Sequence, residues 1–152
     1  MSSDRTLQLV TFRIGNEEFG IDIQKVQEIN RMIEITKIPN TPTHVEGVVN
    51  LRGKIIPIIS LRTKLGFGEA ERDKATRIMV VEIDGNVLGF IVDSVSEVLR
   101  IHDAKIEPTP SITGGPDANY IDGVINLGDR LLILLNLSTL FDGDLKRVTL
   151  AA

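Results

Sequence analysis

"EGVVNLRGKIIPIISL" (Glu46–Leu61) sets two runs of branched apolar residues around a short polar break, and it returns as "DGVINLGDRLLILLNL" (Asp122–Leu137). At an offset of 76, Gly47 lies over Gly123, Asn50 over Asn126 and Leu51 over Leu127. Val- and Ile-rich runs joined by Gly and Asn read as a hairpin of two strands. The second copy keeps this frame but not the arginine: Leu127, Gly128 and Asp129 stand at the turn, and Arg130 lies over Lys54.

A second match lies upstream. At an offset of 69, "LVTFRIGNEEFGIDIQKVQEI" (Leu9–Ile29) covers "IMVVEIDGNVLGFIVDSVSEV" (Ile78–Val98), bringing Gly20 onto Gly89, Val26 onto Val95 and Glu28 onto Glu97. Two matches in the same order indicate an internal duplication. The change of offset puts about seven extra residues in the second unit, which "EPTPSITGGPDAN" (Glu107–Asn119) can absorb.

Each unit reads as mostly β. "GNEE" and "DGNV" supply hairpin-turn residues, and "EFGIDI" and "VLGFIV" read as the returning strands. "DIQKVQEINRM" and "DSVSEVLR" fit either short helical stripes or turns between strands, and their β-branched content disfavours a long helix. Ser60 and Asn136 can cap short helices, with Gly66 and Gly143 as stops. Pro57 must occupy an edge, a bulge or a point where its missing N–H is harmless. Short strands closing on themselves leave no exposed sheet edge, so two small barrels are the favoured architecture. A mixed α+β domain and a β-sandwich are the alternatives. Gly66–Thr76 is the linker between an N-terminal unit, residues 8–66, and a C-terminal unit, residues 77–145. The termini are free to pack across the units.

Composition narrows the function. The 152 residues are 42% hydrophobic and carry a formal net charge of -4, which offers no general attraction to nucleic acid or an anionic membrane. There is no cysteine, so disulfides, thiolate catalysis and Cys-based metal sites are excluded. The N-terminus lacks the pattern of a secretory signal, and no apolar run reaches the roughly 20 residues that cross a bilayer. His44 and His102 lack partners at metal-ligand or acid–base spacing and read as exposed side chains. "TGGPD" lacks the strand–loop–helix grammar of a nucleotide site. "NLS" at Asn136 matches a glycosylation acceptor only formally, in an apolar segment.

Function therefore points to surfaces. Glu28 and Glu97 read as solvated carboxylates or as charged recognition at the rim of an apolar surface. Arg52, at a turn before Gly53, reads either as a solvated residue or as a guanidinium making paired bonds to a carboxylate or a carbonyl. Gly47 and Gly123 permit turns or close packing.

"FGIDIQKVQEI" (Phe19–Ile29), "IPNTPTHVEGVVNLRGKIIPIISLRTKLG" (Ile38–Gly66) and "YIDGVINLGDRLLILLNL" (Tyr120–Leu137) together resemble the CheW family of bacterial chemotaxis coupling proteins. The resemblance covers nearly the whole chain. It implies one CheW-like domain over residues 1–152, built from two pseudo-equivalent five-stranded SH3-like β-barrels with short helices. It implies a non-enzymatic, cofactor-free adaptor that couples methyl-accepting chemoreceptors to the regulatory domain of the CheA histidine kinase. Such a protein works in the cytoplasm and reaches membrane receptor arrays through its partners. By the same resemblance Val26, Glu28, Asn50, Leu51 and Arg52 are candidate partner-coupling residues. Gly47, Gly53, Gly89 and Gly123 are candidates for supporting geometry. An adaptor of another two-component or motility system, and a ligand-binding regulatory domain, are the alternatives.

Overall fold

The computed structural model describes residues 5–102, 105–108 and 120–151. The first half forms β1 (Thr6–Ile14), β2 (Glu17–Asp22), β3 (Val26–Arg31), β4 (Val45–Leu51), β5 (Lys54–Ser60) and the single-turn helix α1 (Leu61–Lys64). The second half forms β6 (Arg77–Ile83), β7 (Asn86–Val92), β8 (Ser94–His102), β9 (Ile106–Glu107), β10 (Ile121–Asn126), β11 (Leu131–Leu135), α2 (Leu137–Leu140) and α3 (Asp142–Ala151). The expected absorber of the extra residues, Glu107–Asn119, and "TGGPD" with it, lies mostly outside the described residues.

The strands make two sheets, in the orders β8-β1-β2-β11-β10-β9 and β3-β6-β7-β5-β4. Neither sheet follows one half of the chain. The opening hairpin of each repeat joins the sheet built from the other repeat's later strands, while its third strand crosses back. β2 docks in parallel on β11, and β7 docks in parallel on β5. Units 8–66 and 77–145 thus mark the repeat in sequence, whereas each sheet takes strands from both.

Burial explains why these strands are so evenly apolar. A strand packed on one face alternates in and out, but one buried on both faces reads as a continuous hydrophobic run. In β6, Ile78 and Val80 enter the core of the five-stranded sheet, while Met79, Val81 and Ile83 enter a core shared by both sheets. In β1, Leu9 faces the interior of the six-stranded sheet with Leu132 and Leu134, while Val10, Phe12 and Ile14 enter the shared core. Phe12, Phe90 and Phe141 meet in that shared core, with ring centroids 5.7 Å and 5.4 Å apart. Together the sheets supply three hydrophobic layers: one inside each barrel and one between them.

The segments expected as short helical stripes or turns are instead mostly strand, β3 and β8. Only Ile23–Lys25 makes a helical turn, of 3-10 type, with the Asp22 side chain accepting from the Gln24 N–H at 2.9 Å. β3 and β8 then pair antiparallel with β6 and β1, each through a bulge at the equivalent place. The register skips Gln27 in one and Ser96 in the other, an offset of 69 again. Ser60 and Asn136 cap α1 and α2 by accepting from the N–H groups of Thr63 and Thr139. Gly66, at φ 84°, follows the end of α1. Gly143 is no stop, because α3 begins at Asp142 and runs through it.

Pro57 lies opposite Val48 in a sheet interior, where a missing donor ordinarily costs a ladder bond. Val48 instead spends both backbone groups on Thr36, at 2.9 Å and 2.8 Å, and the pairing of β5 with β7 starts only at Ile58. No N–H is demanded of residue 57.

Gly47 and Gly123 sit at equivalent bulges in β4 and β10. A Cβ on Gly47 would lie 2.1 Å from the Thr36 carbonyl oxygen, and one on Gly123 would lie 2.7 Å from that of Glu107. In each barrel a short extra segment crosses the sheet where the bulge glycine admits a backbone atom.

Candidate functional site

The β4–β5 turn is Leu51–Lys54, with Arg52 at φ 52° and Gly53 at φ 85°. Two successive left-handed residues make the tight hairpin turn that matches strand twist. Asn50 stabilises it, its Oδ1 accepting from the Gly53 N–H at 2.9 Å. A non-glycine residue in this region carries a conformational cost of about 1 kcal/mol. Arg52 bears it at the tip, with its side chain 74% exposed.

That side chain reaches across the barrel. β3 and β4 are the two edges of the five-stranded sheet, and the Arg52 guanidinium closes the gap by donating from Nη2 to Glu28 Oε2. Asn30 Nδ2 donates to the other oxygen, Glu28 Oε1, at 2.7 Å. The bulge at Gln27 rotates β3 so that Glu28 faces this edge. The hydrogen bond from Arg52, then that from Asn30, holds the Glu28 carboxyl below the ordinary glutamate range. The pairing is therefore complete above the ordinary glutamate pKa and is lost as pH falls through the depressed value. Replacing Arg52 by Gln should move the Glu28 titration upward, measured by carboxyl carbon NMR; an unmoved midpoint would dissociate the two groups.

Two of the five candidate coupling residues are thus brought together, from positions 24 apart. The other three have internal work. Asn50 holds the turn, Val26 packs against the core shared by the sheets, and Leu51 packs against the core of its own barrel. The strands that carry the pair also expose large apolar side chains: Ile29 follows Glu28 on β3, on its other face, and Ile55 follows Lys54 on β5.

The second barrel repeats this arrangement in altered form. Val98 and Leu131, the counterparts of Ile29 and Ile55 at offsets of 69 and 76, are likewise exposed. Asn126 Oδ1 accepts from the Gly128 N–H at 2.9 Å, as Asn50 does from Gly53. Glu97, counterpart of Glu28, also meets an arginine: Arg130 donates from Nη2 to Glu97 Oε1 at 2.9 Å. Sequence comparison places Arg130 over Lys54 and so reads the handle as lost. In space its charge is moved two residues along and turned inward. Arg130 Nε donates at 2.6 Å to Glu18, which is 5% exposed.

His44 also departs from its expected reading as an exposed residue. Its Nε2 lies 2.7 Å from Asp144 Oδ1, and Lys64 Nζ lies 2.8 Å from Asp144 Oδ2, with the carboxylate itself 6% exposed. These groups tie the first turn of α3 to the first half of the chain.

The model of the CheW-like domain matches residues 8–144. The chain belongs to the CheW family. It is 40% identical to the chemotaxis protein CheW of Klebsiella aerogenes over 137 residues, which is 90% of this chain and 82% of that one. It is 37% identical to the Helicobacter pylori chemotaxis protein CheW over 142 residues, covering 93% and 86%. It is also 31% identical to the protein FrzA of Myxococcus xanthus over 150 residues, covering 92% and 93%. The crystal structure of the scaffolding protein TtCheW from Thermoanaerobacter tengcongensis superposes with a TM-score of 0.82 at 40% identity, covering 90% of this chain and 88% of that one. Both the fold class and the family reading of the sequence are thereby established.

Proposed function

We propose that the chain is a non-enzymatic adaptor that couples methyl-accepting chemoreceptors to the CheA histidine kinase in chemotaxis. The observation that carries this reading is the Arg52–Glu28 pair: a charged contact at an exposed turn tip, between strands that also expose Ile29 and Ile55, in a chain of the CheW family. The family resemblance makes the partner the helical tip of a receptor. A guanidinium able to make directed bonds beside an apolar rim suits such a partner. The exposed Val98 and Leu131 at the opposite repeat offer a second apolar patch, suited to the regulatory domain of the kinase. Two ends on one rigid body let receptor state bias kinase activity through linked binding equilibria.

Among the described residues no helix is long and apolar enough to cross a membrane. On the family reading, the adaptor works in the cytoplasm and joins receptor arrays through its partners.

The test is the affinity for a soluble cytoplasmic fragment of the receptor, with kinase control measured in a reconstituted mixture. Arg52→Ala is expected to weaken binding at least tenfold and to abolish receptor control of the kinase. Arg52→Gly separates side chain from backbone. It removes the same guanidinium while relieving the left-handed strain, so it should bind as poorly yet melt no lower than the parent. Wild-type affinity in both variants would remove Arg52 from the coupling surface.

A further inference from the structure

The two barrel ends are near copies, which raises the problem of how a partner chooses between them. Bulges, carboxylates, turn-holding asparagines and exposed apolar pairs all recur at offsets of 69 or 76. A surface that reads only these shared features would take either end, and the adaptor would have no polarity.

The difference lies in where each turn keeps its cation. At the first end Arg52 stands at the tip, where its guanidinium pairs with Glu28, itself 21% exposed. At the second end the tip residue is Gly128, and the cation is Arg130, whose side chain is 35% exposed. Arg130 is drawn inward by Glu18, and it also meets Glu97 and its neighbour Asp129. The position matching Glu18 in the other repeat is Val87, a half-buried apolar residue, so the first barrel has no acid there to draw Lys54 inward. Three positions therefore differ together: 52 against 128, 54 against 130, and 87 against 18.

We propose that the location of the turn cation determines the polarity of docking. Arg130, anchored by Glu18, withdraws from the second tip the charge that the first tip presents, so the receptor takes only the first end. This rests on the coupling role assigned to Arg52 above and adds Gly128, Arg130 and Glu18 as residues that determine specificity.

Reciprocal exchanges test it in the full-length chain, with the soluble receptor fragment as probe. Arg52→Gly combined with Lys54→Arg gives the first turn the second turn's pattern. Both changes are at exposed positions and the glycine suits the backbone, so this variant folds. Its affinity is expected to fall at least tenfold even though an arginine remains two residues from the tip. Wild-type affinity would overturn the proposal, since a cation anywhere in the turn would then suffice. Gly128→Arg with Arg130→Lys gives the second turn the first turn's pattern; a Cβ at residue 128 meets nothing within 4 Å, and its φ of 97° adds only a backbone penalty, as the left-handed φ does at Arg52. Added to the Arg52→Ala chain, this pair should restore at least tenfold of the lost affinity. In the otherwise wild-type chain it should raise the stoichiometry, read by native mass spectrometry, from one fragment per adaptor to two. A folded variant that does neither would overturn the proposal. The outcomes also separate the two levels of the argument. If Arg52→Ala binds normally, the coupling role itself fails. If Arg52→Ala loses binding and Arg52→Gly/Lys54→Arg keeps it, only the polarity rule fails.

Discussion

Gly47→Ala is expected to destabilise the protein by about 3–5 kcal/mol, among the largest effects of any single methyl group in the chain. The added Cβ would fall 2.1 Å from the Thr36 carbonyl oxygen and 2.8 Å from its carbonyl carbon, and backbone cannot rotate aside as the end of a side chain can. β4 and the segment at residue 36 would have to part. That movement breaks both bonds between Thr36 and Val48, each worth about 1 kcal/mol. The φ of 147° adds a backbone penalty of about 1–3 kcal/mol for a residue other than glycine. Gly53→Ala is the control: φ is 85° but the added atom meets nothing within 4 Å, so only the backbone penalty remains. Urea denaturation measures both. Equal midpoints for the two variants would show that the close approach at residue 47 is unimportant.

Asp144→Ala should cost about 2–4 kcal/mol, and the reason is electrostatic rather than steric. The carboxylate is nearly enclosed and serves two partners from distant parts of the chain. Removing it strands the ammonium of Lys64, 19% exposed above the ring of buried Phe141, and deprives His44 of its bond. Breaking one member of an enclosed ionic group costs more than the group contributes over apolar replacements, because the remaining charge stays desolvated. Asp144 also lies in the first turn of α3, where a negative group complements the helix dipole. Asp144→Asn keeps much of the shape and some hydrogen bonding, so it should lie between the parent and the alanine variant. A loss under 1 kcal/mol for Asp144→Ala in thermal or urea melts would make the three residues bystanders.

Most strands, turns and caps were legible because each is a local matter; β3 and β8 were not, because it is pairing with β6 and β1 that makes them strands. Alternating or continuous Val and Ile runs need only their own residues to declare themselves, and Ser60 caps whatever follows it. The bulge glycines were legible as exceptions to strand composition, though not the carbonyl each one admits. The exchange of hairpins between sheets was not legible. Both opening hairpins turn over two residues and carry the same glycine on the returning strand, Gly20 and Gly89, so nothing local states which later strand each will flank. The pair Glu28–Arg52 joins edges that meet only when a barrel closes, and Glu97–Arg130 joins the edge strand β8 to the distant β10–β11 turn. Alignment alone therefore recorded Arg130 as a lysine equivalent. The buried acid that turns it inward, Glu18, stood out little: its repeat partner is Val87, but Thr11 over Val80 and Asp22 over Ile91 are mismatches of the same kind in that block. His44 and Asp144 are 100 positions apart and share no motif, so no pattern on either side announces the contact.

The crossed hairpins have a consequence during synthesis. β1 leaves the ribosome before any of the other strands described, yet it is flanked by β2 and by β8, and its Thr11 bonds to Glu97, 86 positions later. β2 in turn waits for β11, from Leu131 onward. The earliest hairpin made is thus among the last to acquire its neighbours, and its apolar faces stay uncovered through most of translation. Contacts so distant in sequence make folding slow, and a nascent chain in this state is a natural client for whatever shields exposed strands in the cell.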